Sequence, residues 1–287
     1  MEDLIEINGC IPSPKDNRDL ELSGMMSDEI MLPEYAPAPF NNLTPIDQLA
    51  SDASRYACVA CSFSSLKQQL SRMQKVSEQY DFIELYNECK KQDGIPNVKG
   101  TYLRTALSIA KKRGIKTTSG IFRKIREYVK IDVNNQAEFA RAIYLYHGIF
   151  CAYILSNEGW RGTSVRPPKN GEPTGGHAIL VNGFKKDFWI AKDSMPTYHN
   201  NSHIFQIPMT YMPTEAWAIT LDDAVYDNMA RGYVAKDYIL NNKTIARLNL
   251  RETPGGKVLT TLPVGTLVVS QDEVFADGRI WLLVEVV

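Results

Sequence analysis

Three features of the sequence predict an α+β fold. Apolar residues recur at helical spacing through the first part of the chain, and short segments of strand character, separated by turn residues, follow up to residue 221. Helices gathered first and strands gathered second describe an α+β domain, because a parallel sheet needs the two to alternate. The third feature is a further run of short β-type segments from residue 232 to the end, read as a small all-β barrel. The predicted organisation is an extended lead over 1–32, a main domain over 33–221, a linker over 222–231 and the barrel over 232–287.

Composition narrows the function. Hydrophobic residues make up 44% and charged residues 23% of the 287, the balance of an ordinary globular protein. With 32 basic against 33 acidic residues there is no electrostatic footprint for nucleic acid or an anionic membrane. Five cysteines are an odd, thinly spread set that makes no disulfide framework and fits a reduced compartment. The first twenty residues hold neither a basic leader nor an apolar run, so synthesis in the cytoplasm without a classical export signal is expected.

The lead is rich in Pro, Asp and Asn and has no sustained period, as for a segment that wraps a domain. The first helix carries Val59, Phe63, Leu66, Leu70 and Met73 on one face. Ser51, Asp52 and Ser54 are its expected N-caps, which puts Cys58 in the first turns, where free N–H groups and the helix dipole favour a thiolate. A helical cysteine is also commonly a small buried hydrophobe, and the C-x-x-C pairing with Cys61 fits a redox pair or half a zinc site. No second C-x-x-C and no thioredoxin-like βαβ pattern supports those last two.

Ser77 is the expected cap of a second helix with Phe82, Leu85, Tyr86 and Cys89 inward, ending before Asp93 and Gly94. Thr101 opens a third, with Leu103, Ala106, Leu107 and Ala110 apolar and Gly114 beyond its basic last turn. A strand over 128–133, a helix from Gln136 to Tyr146 stopped by Gly148, and a strand from Ile149 to Leu155 come next. A long Gly- and Pro-rich loop fills 156–176, and loops of that length in a compact domain are commonly functional. HAILVNGF, FWIAKDS, HIFQI and AWAITL read as successive antiparallel strands.

The chemistry lies in two of these strands. GGHAILVNGF (175–184) places His177 at the head of one, and FWIAKDSMP (188–196) ends the next at Asp193. A hairpin through the turn at 185–187 brings the two to one end, where Asp193 can orient and charge-stabilise the imidazole.

With a cysteine at a helix start, this set resembles the papain-like cysteine peptidases, over about residues 11 to 221. CVACS resembles the family's C-W-A-F-S, GGHAILVNGF its G-H-A-V-x-x-V-G-Y, and FWIAKDS its strand ending in N-S-W-G. TPIDQ resembles the segment that delivers the oxyanion-hole glutamine, which makes Gln48 the candidate. The likeness is closer to the bacterial and viral branch without a long propeptide: IPSPKDNRDL resembles its I-P-D-x-x-D-x-R-D-Y lead, and FIELYNECKKQDG its helix after the nucleophile. The resemblance implies a thiol hydrolase with Cys58 as nucleophile, His177 as base, Asp193 as orienting group and Gln48 at the oxyanion, acting on a peptide or a cell-wall peptide without metal or organic cofactor.

The chain departs from the family in carrying Asp193 for the usual Asn, Met195 for the tryptophan that shields the histidine pair, and Val59 for the tryptophan after the nucleophile. Asp193→Asn is therefore expected to keep the fold and shift the activity profile. Aligning Cys58 as nucleophile keeps Ala60 and Ser62 at family positions, whereas aligning Cys61 does not. The rival reading is a catalytically inactive binding or structural module, for instance of a phage particle.

Other motifs carry less. His199 and His203 in HNNSH lack a neighbouring glutamate and read as a loop entering a strand, not a metal site. His147 reads as a helix C-terminal residue meeting the dipole, Trp217 as core, and Asn170–Gly171 as a turn. LNLRETPGGKVLTTLPVGTLVVSQDEV (248–274) resembles bacterial Src-homology-3-type domains, which implies a peptidoglycan ligand or a spacer role and a place at the cell wall or in a virion. GYVAKDYI (232–239) is expected to supply the closing strand that such domains usually carry at their end.

Overall fold

The structure is a computed structural model that describes residues 9–22, 32, 35–36, 43, 46–51, 54–74, 76–162, 165–221, 231–235, 239–240, 243–244, 248–253, 256–262, 268–276 and 279–286. These form two compact units, one ending at Leu221 and the other running on from Arg231. Most of the expected linker, 222–230, and much of the lead lie outside the described residues; Arg231 already belongs to a strand.

The lead contributes β1 (Cys10–Ile11) and β2 (Tyr35–Ala36) ahead of α1 (Cys58–Met73). α1 is buried on every side from Cys58 to Ser71, so it is a central helix whose burial extends beyond the apolar face its spacing predicts. Several of its polar residues are bonded there, while Ser64 Oγ is buried without a partner among the described residues. Ser62 Oγ donates to Ala178 O at 2.7 Å, Gln69 Oε1 accepts from Asn182 Nδ2 at 2.7 Å, and Ser71 Oγ pairs with Tyr80 Oη at 2.8 Å.

The start of α1 also differs from expectation. Ala57 occupies the capping position with no side-chain bond, while Ser54 Oγ is spent on Gln48 O at 2.6 Å; Asp52 lies outside the described residues. A helix start without a side-chain cap leaves first-turn N–H groups available to another acceptor.

α2 (Phe82–Gln92) is capped by Asp81, whose carboxylate accepts from Glu84 N, and not by Ser77. Thr101 and Tyr102 form β3 (Thr101–Tyr102), parallel to β1, so α3 (Leu103–Lys112) begins two residues later than predicted. A ribbon of β4 (Ile115–Lys116) and β5 (Phe122–Arg123) leads to β6 (Ile125–Lys130), which starts and ends three residues before the predicted strand. α4 (Gln136–Tyr146) matches its prediction. His147 closes it in the left-handed conformation (φ 59°), at the helix C-terminus as expected, and burial lowers the pKa of its ring.

β7 (Ile149–Ser156), β8 (Thr174–Lys185), β9 (Phe188–Lys192), β10 (Ile204–Pro208) and β11 (Glu215–Leu221) complete an antiparallel sheet of order β10-β9-β8-β7-β11-β6, with β2 alongside β8. Both faces are covered. Ala178 and Leu180 look toward Phe63 and Leu66 of α1 with Phe150 and Trp217, while Ile179 and Val181 pack with Phe139 of α4 and Trp189. Burial on both sides explains why β7 and β8 read as near-continuous apolar runs. No helix among the described residues is long and apolar enough to cross a membrane.

The second unit is an antiparallel sheet of order β16-β15-β12-β18-β17, built from β12 (Arg231–Ala235), β15 (Leu248–Arg251), β16 (Val258–Leu262), β17 (Val268–Ala276) and β18 (Arg279–Val286). β12 lies between β15 and β18, pairing Tyr233 with both Arg251 and Leu283. The expected closing strand over 232–239 is divided. It ends at Ala235, and Ile239 belongs to a separate ribbon of β13 (Ile239–Leu240) with β14 (Lys243–Thr244).

Candidate active site

The β8–β9 hairpin turns at Lys186 and Asp187, with Lys185 opposite Phe188 and Leu180 opposite Lys192. Lys186 takes the left-handed conformation (φ 51°) that so short a connection requires. This register carries His177 and Asp193 to the same end of the sheet. His177 Nε2 donates to Asp193 Oδ1 at 2.7 Å, and neither side chain has any solvent exposure.

Asp193 is the hub of the site. Oδ1 also accepts from Met195 N at 2.9 Å, and Oδ2 accepts from Trp160 Nε1 at 2.9 Å and from His199 Nε2 at 3.0 Å. Four donors thus converge on one buried carboxylate. Burial alone would raise its pKa, but the charge and hydrogen bonds of His177 and His199 outweigh that and hold it well below the usual carboxylate range. Burial likewise pulls the His177 ring down, yet the charge and hydrogen bond of Asp193, with a smaller contribution from Cys58, raise it to about 10. His177 is accordingly an imidazolium at neutral pH.

The remaining ring nitrogen, His177 Nδ1, is buried and has no partner within hydrogen-bond distance. Cys58 lies near enough for its charge to act on this ring. Cys58 is the first residue of α1, and its sulfur accepts from Ala178 N at 3.5 Å. The lead passes close by. A side chain at Gly9 would bring its Cβ to 2.5 Å from Cys58 Sγ, and one at Gly176 would meet Cys10 O at 1.9 Å, so glycine is required at both positions. Cys61, one turn along, has its thiol pushed well up by burial and by Cys58, and stays protonated.

Gln48 joins the same cluster. Its backbone N bonds Ser194 O at 3.0 Å, its Oε1 accepts from Ser194 Oγ at 2.5 Å, and its Nε2 donates to Arg55 O at 2.9 Å. One of the two amide hydrogens is thereby taken. The structure brings Cys58, His177, Asp193 and Gln48 into one neighbourhood, and all four are buried.

Two members of the site were not singled out from the sequence. Trp160 comes from the long loop, which Glu172 builds by accepting from Ser156 Oγ at 2.6 Å, from Arg166 Nη2 at 2.6 Å and from Lys169 N at 2.9 Å. These bonds hold the Glu172 carboxyl down to about 2. The loop seats the indole edge-on to His177 and His199, with ring centroids 6.2 and 5.9 Å apart. Trp160 therefore supplies the shielding ring that Met195 does not. His199, read as a loop residue, is fully buried and stacks on Phe205 with centroids 3.9 Å apart. A tryptophan amid glycines was the one available signal for the first; the second had none. Trp217 is core, as expected. Among the described residues no cluster of His, Cys, Asp and Glu has the makings of a metal site.

No protein-family model and no curated relative matches the sequence. Solved structures do match in fold. The chain is similar to xylellain, a cysteine protease from Xylella fastidiosa, with a TM-score of 0.61 and 17% identity over 75% of this chain and 96% of that one. It is similar to proCathepsin B S9 from Trypanosoma congolense, with a TM-score of 0.61 and 13% identity over 76% and 87%. The fold is papain-like. A third match is the Carica candamarcensis cysteine protease CMS1MS2, solved with E-64, with a TM-score of 0.52 and 13% identity over 67% of this chain and all of that one. At such identities the papain-like assignment concerns architecture, and the chemistry has to be argued from the residues themselves.

Proposed function

We propose that the chain is a thiol peptidase or amidase that hydrolyses peptide bonds through Cys58. The observation that carries this reading is His177, held by Asp193 through Nε2 and left with an unpartnered Nδ1 beside the cysteine that opens a central helix. In the resting site the proton of Cys58 already resides on His177 Nδ1, and the Cys58 thiolate attacks the scissile carbonyl carbon. The oxyanion that forms is bonded by the Cys58 N–H and the second hydrogen of Gln48 Nε2, and the imidazolium then protonates the leaving amine. Water, deprotonated by His177, hydrolyses the thioester and releases the acid.

For the substrate we carry forward peptides, including those of bacterial walls; the support is the resemblance of residues 248–274 to wall-associated Src-homology-3-type domains. In the full chain, Cys58→Ala should abolish both turnover of a fluorogenic peptide panel or a wall zymogram and alkylation by iodoacetamide near neutral pH. Cys61→Ala should retain both. The reverse pattern would move the nucleophile to Cys61, and a wild-type chain with neither activity nor a reactive thiol would overturn the reading in favour of a binding module.

A further inference from the structure

The far side of Asp193 holds a second histidine that the reaction outlined above does not use. His199 sits on a turn between β9 and β10, sandwiched between Phe205, which stacks on it with planes 6° apart, and Trp160, which meets it edge-on. Its Nδ1 lies 2.9 Å from Gly162 O and its Nε2 lies 3.0 Å from Asp193 Oδ2. A carbonyl oxygen only accepts, so Nδ1 carries a proton. Asp193 Oδ2 already accepts from the Trp160 indole and belongs to a carboxylate held in its charged form by three other donors, so Nε2 has to donate as well. Both ring nitrogens are satisfied only when the ring carries both protons.

The remaining ionisable neighbours do not supply that charge. His177 lies on the other oxygen of Asp193, and His203 is turned away, its Nδ1 donating to the Asp193 backbone carbonyl at 2.7 Å. Tyr198 is pushed up to about 12, chiefly by burial, and is neutral; Arg161 lies over the Tyr198 ring at 5.9 Å. Cys61 is protonated.

We propose that His199 is a positioning residue of the catalytic group, an imidazolium on the outer oxygen of Asp193 that offsets part of the carboxylate charge His177 faces on the inner one. The inference rests on the reading of Cys58, His177 and Asp193 as a thiol-hydrolase group. It gives a physical reason for the departure at position 193. A carboxylate paired with an imidazolium moves the charge seen by His177 toward that of the asparagine usual in papain-like enzymes, while offering lone pairs to four donors where an amide oxygen serves two.

The direct test is nitrogen-15 NMR of the histidine rings in the full wild-type chain at pH 8, where an exposed imidazole is neutral. Four histidines make the spectrum assignable, with His147→Gln and His203→Gln variants and alkylation of Cys58 identifying the other three. The expected result is a doubly protonated His199 ring; a singly protonated ring overturns the proposal. The second measurement is the pH profile of Cys58 alkylation in His199→Gln. Removing a nearby positive charge raises the proton affinity of both Cys58 and His177, so both limbs should move up, by about one to two pH units at an effective dielectric constant near 20. A folded His199→Gln with unmoved limbs shows a merely structural role and overturns the proposal. Should that variant not fold, the wild-type ring spectrum decides. If wild-type Cys58 does not alkylate, the hydrolase reading fails separately, and the ring spectrum still rules on the charge.

Discussion

Asp193→Asn is the substitution that bears hardest on the site, since the resemblance treats it as conservative and the geometry does not. The carboxylate accepts from His177 Nε2, Met195 N, Trp160 Nε1 and His199 Nε2, all within 3.0 Å. An asparagine oriented for His177 keeps its oxygen at the Oδ1 position and puts an NH2 where Oδ2 was. His199 can release a proton and accept from that NH2, but the Trp160 N–H then faces another donor in a buried site with no alternative. Hydrogen bonds to charged groups contribute about 1.5 to 3 kcal/mol each, and breaking a buried charged pair costs about 3 to 5 kcal/mol.

We therefore expect Asp193→Asn to destabilise the first unit by about 3 to 5 kcal/mol. At about 2 to 4 °C per kcal/mol for a unit of this size, its melting temperature should fall by roughly 6 to 20 °C. Calorimetry of the full-length wild type and variant, with a urea midpoint as a second reading, measures this. A variant melting within about 2 °C of wild type would show that the four bonds do not act as described. The earlier expectation of an intact fold with a shifted activity profile would then stand.

Two further outcomes follow from the same geometry. Trp160→Phe removes one donor from Asp193 and leaves a smaller ring against His177 and His199, so it should cost about 2 to 4 kcal/mol by urea unfolding and slow Cys58 alkylation; unchanged stability and alkylation would remove Trp160 from the site. The pH dependence of stability has a definite sign. His177, raised to about 10 in the fold, stabilises fully below its unfolded value near 6.5, and that contribution is lost as pH rises toward 10. Asp193, depressed in the fold, contributes above its unfolded value near 3.9 and loses that contribution as pH falls. Wild type should lose urea stability between pH 6.5 and 10 more steeply than His177→Gln, and equal slopes would contradict the assignment.

Sequence alone determined a good deal of this protein, because local chemistry writes periodic signals. The helix ended by His147 and Gly148, the hairpin through 185–187 and the order of helices before strands are all set by residues a few positions apart, and each is legible by spacing. The placement of His177 and Asp193 at one end follows from that hairpin, and Cys58 at a helix start from the run of apolar residues behind it. Helix starts were less legible. Ser77 and Thr101 are reasonable caps by type, but Asp81 was better placed to bond Glu84 N, and Thr101 was taken up by pairing with Cys10, some ninety residues earlier. What the tertiary structure alone decided is the environment of Asp193. Trp160 arrives on an aperiodic loop tied down by Glu172, and His199 on a short turn before β10. Neither segment has a repeating pattern that fixes where its side chains point, and a count of donors around a buried carboxylate exists only once distant parts of the chain have been folded onto it.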